Sequence, residues 1–268
     1  MTHTVILIED TGSLLAHERA HALSAKTGFS VHEIKPNKPP KQFNQAQWQL
    51  VYTQNGLALR LSSEPSWSDI RVDFASAALQ YRKQHGGGKN EAIAKAIGIK
   101  GKQSLNVVDC TAGMGTDSFV MASVGAKVTM LERSPVIAAL LEDALLRLED
   151  ADDAFAQSLQ LHKQDATDFL CEAINSSAPQ NIDVVYLDPM FPHKKKSALV
   201  KKEMQAFQML LGPDSDSEQL LTNALKTDAK RIVVKRPNSA PELANQQNRT
   251  ATMAIRSKKH RFDVYILN

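Results

Sequence analysis

Residues 186–197 read Y-L-D-P-M-F-P-H-K-K-K-S: a hydrophobic run ends on an acid, two prolines bracket Met-Phe, and positive charge follows. Such a group suits one kind of chemistry. The Asp188 carboxylate and a nearby backbone carbonyl, that of Pro189, can each accept one N–H from a flat exocyclic amine. An amine of that sort is a poor nucleophile because its lone pair is delocalised into the ring. Two fixed acceptors favour pyramidal nitrogen and aim the lone pair at an electrophilic carbon. Pro189 fixes φ and stiffens the turn, and Phe191 offers a face on which a base stacks, worth about 1–3 kcal/mol. Catalysis would then rest on orientation and fixed acceptors, with no metal or covalent intermediate required. Taken alone, D-P-M-F-P also reads as a turn with a core phenylalanine, so its surroundings decide.

A second group lies upstream. N-V-V-D-C-T-A-G-M-G-T-D, residues 106–117, is a strand pattern running into a glycine turn and a helix. Gly113 and Gly115 would let the backbone pass close to a ligand and adopt positive φ. A dinucleotide fingerprint would place a third glycine at 118, where Ser118 stands. Glu132 ends the next apolar run seventeen positions after Gly115, where an acid meets ribose hydroxyls in sheets of this kind. An acid at Asp109, just before the glycines, does not suit an approaching pyrophosphate. It does suit an ammonium and a sulfonium, which points to S-adenosyl-L-methionine. Asp165 is a further acceptor for an adenine amino group, and it fits a helix N-cap ahead of T-D-F-L equally well. Arg133 reads either as a site residue or as a solvated arginine. The competing NAD-linked oxidoreductase leaves D-P-M-F without a role, and G-G-G-K-N at 86–90 lacks the residues of a phosphate-binding loop.

The elements that would position these residues fall in two parts. Residues 1–73 show a strand V-I-L-I, a helix closed by Gly28, a strand F-S-V-H-E-I and a hairpin about Asn55-Gly56, which together form a small α+β subdomain. Residues 74–268 open with two helices and then alternate β and α, predicting a doubly wound parallel sheet. The last two β runs have no helix between them, so they pair as an antiparallel hairpin.

Composition narrows the class. Of 268 residues, 43% are hydrophobic and 23% charged, the balance of an ordinary globular chain. No run is long enough to span a membrane. The N-terminus carries no basic segment before V-I-L-I, which argues against a secretory leader. Cys110 and Cys171 make neither a disulfide framework nor a zinc spacing, so no metal is expected and a reducing cytoplasm is. Net charge is only +3, but basic residues cluster near 193–202, 230–236 and 256–261. Lys194, Lys195 and Lys196, just past the reactive turn, and Lys235 and Arg236, ending the next strand, are candidates for gripping nucleic-acid phosphates.

The segments D-C-T-A-G-M-G-T-D, M-L-E-R-S-P-V-I-A-A-L-L, V-V-Y-L-D-P-M-F-P-H-K-K-K-S-A-L-V-K-K-E-M and V-V-K-R-P resemble the RsmJ family of bacterial 16S ribosomal RNA guanine-N2 methyltransferases. The resemblance covers roughly residues 70–265 and is most specific in V-V-Y-L-D-P-M-F-P-H. It implies a class I methyltransferase fold, S-adenosyl-L-methionine as donor, and a guanine near the 3′ end of 16S rRNA as acceptor, free or within the small ribosomal subunit. By position it implies cofactor contacts at Thr116 and Asp117, Glu132 and Arg133, Asp165 and Ala166, and Asp188. The residues by themselves lead to a base-amine methyltransferase and leave the base open, adenine N6 and cytosine N4 of RNA or DNA included.

Overall fold

A computed structural model describes residues 4–9, 12–35, 47–64, 66–101, 103–177, 181–190, 202–212, 216–258 and 260–267. The N-terminal part contains β1 (Thr4–Ile8), α1 (Leu14–Thr27), β2 (Ser30–Glu33), β3 (Trp48–Thr53) and β4 (Gly56–Leu61). Ser13 caps α1 by accepting from the Ala16 N–H at 3.1 Å, and Gly28 closes it at φ +74°. The four strands lie in the order β2-β1-β3-β4; β1 is parallel to β2 and β3, and β3 and β4 form the hairpin expected at Asn55-Gly56.

Two helices follow, α2 (Ala77–His85) and α3 (Ala92–Ile97), and then the alternating series. It comprises β5 (Asn106–Asp109), α4 (Thr116–Ser123), β6 (Lys127–Leu131), α5 (Pro135–Ala156), β7 (Leu159–His162), α6 (Ala166–Asn175), β8 (Val184–Leu187), α7 (Lys202–Leu211), α8 (Ser217–Ala224) and β9 (Arg231–Pro237). The chain closes with β10 (Met253–Arg256) and β11 (His260–Ile266). Strand order is β10-β11-β9-β8-β5-β6-β7, parallel from β7 to β9 and antiparallel at β9/β11 and β11/β10. This is the doubly wound sheet with a terminal hairpin that the β/α alternation predicts.

Both faces of the sheet are covered, which is why V-V-Y-L reads as a continuous apolar run rather than an alternating one. Val184 and Tyr186 belong to the core shared with α3, α4 and α5, while Val185 and Leu187 face the core shared with α6 and α8. Helix α5 runs further than the apolar pattern at 136–148 indicates, through a non-helical Asp152, to Ala156.

The two sheets share one core: Ile6, Leu50 and Leu59 of the first pack in the same cluster as Phe74, Phe119 and Leu141. Their polar joint is Asp143, buried on α5, which accepts from the Leu57 N–H at 3.0 Å and from Arg147 Nε at 2.9 Å. A side chain at Gly56 would collide with this pair at 2.7 Å. The first sheet and the second therefore meet in continuous packing.

Candidate active site

Strand order reverses between β5 and β8, and at such a switch point the C-terminal strand ends leave a crevice. Here it is a cavity of about 580 Å³ walled by the ends of β5, β6, β8 and β9 and by α6 and α8. Gly113, Thr116, Asp117, Glu132, Arg133, Asp165, Ala166, Asp188, Pro189, Lys235 and Arg236 all line it. Phe191, Lys194, Lys195 and Lys196 lie outside the described residues.

The glycine turn is tied down by Asp109. One carboxylate oxygen accepts from the Thr111 N–H at 3.0 Å, and the other accepts from the Ser118 hydroxyl at 2.5 Å. Ser118, fully buried, thus uses the place of the missing third glycine to clamp the turn to α4. Asp109 positions the loop and also lines the cavity. Burial pushes its pKa up to about 7 despite those two hydrogen bonds.

The two glycines have different reasons. Gly113 lines the cavity at φ +53°, and a Cβ there would meet nothing closer than the Thr111 carbonyl at 3.8 Å, so the space above it is open. Gly115 faces away from the cavity: at φ +68°, its Cβ would lie 2.6 Å from Phe74 Cζ. Its expected part in ligand approach is corrected to close packing against the segment that joins the two sheets. Gly115→Ala should cost at least about 1–2 kcal/mol in urea denaturation, from the left-handed φ alone.

Glu132 is 7% exposed at the end of β6. Its carboxylate accepts from the Ser134 N–H at 2.7 Å and from the Gly113 N–H, which joins the β6 end to the glycine turn. Burial raises its pKa to about 7, outweighing those bonds. Asp165 is the helix N-cap expected of it, and it stands at the cavity. It caps α6 by accepting from the Thr167 N–H at 2.8 Å, and it lines the cavity. Arg133 is held across the opening by Asp216 at 2.5 Å and Asp165 at 3.4 Å.

At the reactive side, the Asp188 N–H donates to Thr111 Oγ1 at 2.6 Å, so glycine turn and D-P-M turn share a hydrogen bond. Lys235 Nζ lies 2.8 Å from Asp188 Oδ2 and 2.7 Å from Asp117 Oδ2, and the Tyr186 hydroxyl donates to that same Asp117 oxygen at 2.6 Å. The parallel register Leu187↔Val234 brings Asp188 and Lys235 side by side, one step further along β8 and β9. Burial opposes the charge on Lys235, but Asp188 and Asp117 outweigh it and raise the ammonium's pKa. Burial likewise opposes the charge on Asp117, and Lys235 prevails and holds it below the usual carboxylate range.

This placement corrects two expectations. Lys235 points inward between two carboxylates, and Arg236 is 5% exposed with its Nε donating to the Pro241 carbonyl at 3.2 Å. Neither forms an exposed phosphate-gripping rim. Thr111, Tyr186 and Lys235 carry a network that sequence reasoning missed. The usable signal was the alternation that puts Tyr186 and Asp188 on one face of a strand.

A family model described as a putative SAM-dependent methyltransferase matches residues 38–267. A curated relative from Alteromonas mediterranea, named ribosomal RNA small subunit methyltransferase J, is 49% identical over 96% of this chain and 93% of its own. The protein of the same name from Salmonella schwarzengrund is 51% identical over 97% and 96%. The chain belongs to the methyltransferase J family. A solved structure of a SAM-dependent methyltransferase from Neisseria gonorrhoeae shares the fold with TM-score 0.69 and 32% identity, over 97% of this chain and 95% of that one.

As a methyltransferase J family member, the protein is an S-adenosyl-L-methionine-dependent methyltransferase. The cavity fits that donor. It offers a buried carboxylate for a diol at Glu132, an open glycine backbone at Gly113 and apolar walls from Leu131, Ile137 and Leu220. Among the described residues no group of side chains could hold a metal ion, and no helix is long and apolar enough to cross a membrane.

The raised pKa of Glu132 has a consequence for stability. The folded state keeps a proton that the unfolded chain releases above about 4.5, so stability falls as pH rises towards 7, and the penalty is complete above it. Glu132→Gln should therefore raise the melting temperature of the cofactor-free protein at pH 8 by a few degrees, on the order of 1–2 kcal/mol. The same variant should bind S-adenosylhomocysteine about 10–100-fold more weakly through lost charge-assisted hydrogen bonds. Thermal scans and calorimetry on one preparation check both signs.

Proposed function

We propose that the protein methylates the exocyclic N2 of a guanine in small-subunit ribosomal RNA, acting in the cytoplasm. The observation that carries this reading is the double fixation of Asp188. Its N–H is held by Thr111 and its Oδ2 by Lys235, while its side chain keeps 38% exposure at the mouth of the cavity. There the fixed Asp188 carboxylate faces a base presented at the opening and can accept one of its N–H groups.

When bound, the cofactor supplies an electrophilic methyl carbon on a positively charged sulfur. Glu132 would hold the ribose hydroxyls, Gly113 would admit the backbone-side approach, and Asp165 with Ala166 would border the adenine. Asp188 accepts one amine N–H and the Pro189 carbonyl a second, which directs the nitrogen lone pair along the transfer axis. The positive charge that the nitrogen would gain with the methyl group would develop beside the Asp188 carboxylate. The surplus N–H proton then leaves to water. Lys235, Asp117 and Asp188 sum to one negative charge, which matches the single positive charge that is transferred.

Support for RNA as acceptor comes from the relatives' shared name, and support for guanine N2 from the V-V-Y-L-D-P-M-F-P-H resemblance. The test is methyl transfer by the purified protein to small-subunit rRNA, naked and assembled, with nucleoside mapping by mass spectrometry. A single N2-methylguanosine is expected; label on adenine N6 or cytosine N4, or on no base at all, would refute the assignment.

A further inference from the structure

The basic cluster at 256–261 plays no part in the cavity chemistry, and its place in the fold is specific. Strand β11 begins at His260, which pairs with Pro237 at the C-terminal end of β9, so the β10–β11 turn projects from the same edge of the sheet as the cavity. Pro237 and His260 both line the cavity wall. The turn is held firmly there. The Ser257 N–H and hydroxyl donate to the His260 carbonyl at 2.7 and 2.9 Å, and Asn238 Nδ2, from the loop after β9, donates to the Ser257 carbonyl at 3.0 Å.

The charge on this tip is of one sign. No acidic residue occurs between Glu242 and Asp263. Asp263 is buried and occupied by Arg261, whose guanidinium reaches it at 2.6 and 2.9 Å. Arg256 and Lys258 are exposed, and among the described residues neither has a carboxylate within ion-pair distance. Three inter-strand spacings separate β8, which carries Asp188, from β10, roughly 14 Å. A polyanion whose base occupies the cavity mouth would pass its flanking backbone across this distance.

We propose that the β10–β11 hairpin tip, through Arg256 and Lys258, binds phosphates of the RNA strand flanking the target base. The inference rests on the RNA reading above and adds a docking surface to it. Other basic positions differ in ways that matter. Lys83 is engaged by Asp152 at 2.6 Å and Lys230 by Asp183 at 2.7 Å. Lys127, at the start of β6, and Lys226, which follows α8 and precedes β9, lie towards the opposite edge of the sheet.

The test compares Arg256→Gln/Lys258→Gln with Lys127→Gln/Lys226→Gln, which removes the same charge at the opposite edge. With small-subunit rRNA titrated across a salt series, the hairpin variant should bind about tenfold more weakly near 0.15 M salt, its log–log salt slope reduced by about 1.4, the value for two lost single-strand phosphate contacts. The opposite-edge variant should follow wild type, and S-adenosylhomocysteine affinity should be unchanged in both. Equal RNA affinity and slope in the two variants, with wild type methylating the RNA, would overturn the docking surface alone. Failure of wild type itself to bind or methylate the RNA would overturn the function reading and this surface with it.

Discussion

Asp188→Ala is expected to slow methyl transfer by about 10²–10³-fold at saturating RNA, the usual consequence of deleting one preorganised polar partner of a transition state. The side chain is partly exposed and not part of the packed core, so folding should survive its removal. The fixed backbone N–H, held by Thr111 Oγ1 at 2.6 Å, does not depend on the carboxylate. Asp188→Asn keeps one oxygen acceptor but loses the charge beside the developing ammonium, and it should fall between wild type and the alanine variant. Single-turnover transfer with preformed complexes separates this loss from RNA affinity. Turnover within a few-fold of wild type in Asp188→Ala would remove Asp188 from the reaction.

Lys235→Met carries the second large effect, and it works through two groups at once. Lys235 bridges Asp117 and Asp188, and removing it leaves two half-buried carboxylates facing each other, at a cost of about 1–3 kcal/mol because solvent reaches the more exposed Asp188 side and screens it. In the wild type Asp117 has a depressed pKa, so its contribution to stability is present above about 3.8 and is lost as pH falls through the folded value. Without Lys235, burial is no longer offset and raises Asp117, which then retains a proton into a higher pH range.

Stability of the variant should therefore improve, not worsen, as pH is lowered from neutrality. The acid limb of its rate profile should move to higher pH, because Lys235 no longer holds Asp117, beside the reacting group, in its ionised form. Asp109 on β5, Tyr186 on β8 and Arg82 on α2 bear on the same pair of acids, and their charges shape the limb without reversing its direction. Lys235→Arg restores the positive charge and should recover part of both properties. An unshifted acid limb in Lys235→Met would show that the lysine acts only as packing.

Much of this protein could be read along the chain. Strand, glycine turn and helix from Asn106 onwards, the hairpin at Asn55-Gly56 and the terminal β pair depend on patterns a few residues long, where backbone sterics and hydrophobic period decide locally. Glu132 and Asp188 could be singled out for the same reason. Each ends an apolar run, and in a parallel sheet the ends of such runs lie together on one edge. The resemblance in the D-P-M-F segment added guanine, its N2 and the ribosomal RNA acceptor.

What tertiary structure decided was which partners those residues have. Lys235 and Arg236 look like a basic rim in sequence, yet strand order places β9 beside β8 and turns Lys235 onto an acid 47 positions away. Gly115 reads as a ligand glycine until Phe74 is seen to occupy the space over it. Asp109 reads as an acid with no other task until Ser118 and the Thr111 amide are seen to hold its oxygens. In the same way Arg256 and Lys258 are ordinary surface charges until the Pro237↔His260 pairing sets their hairpin on the rim of the cavity. Local sequence determines conformation because its forces act within a turn or two. Pairing between distant strands depends on the whole core, and no short window of the sequence holds Lys235 with Asp188, Gly115 with Phe74 or Pro237 with His260.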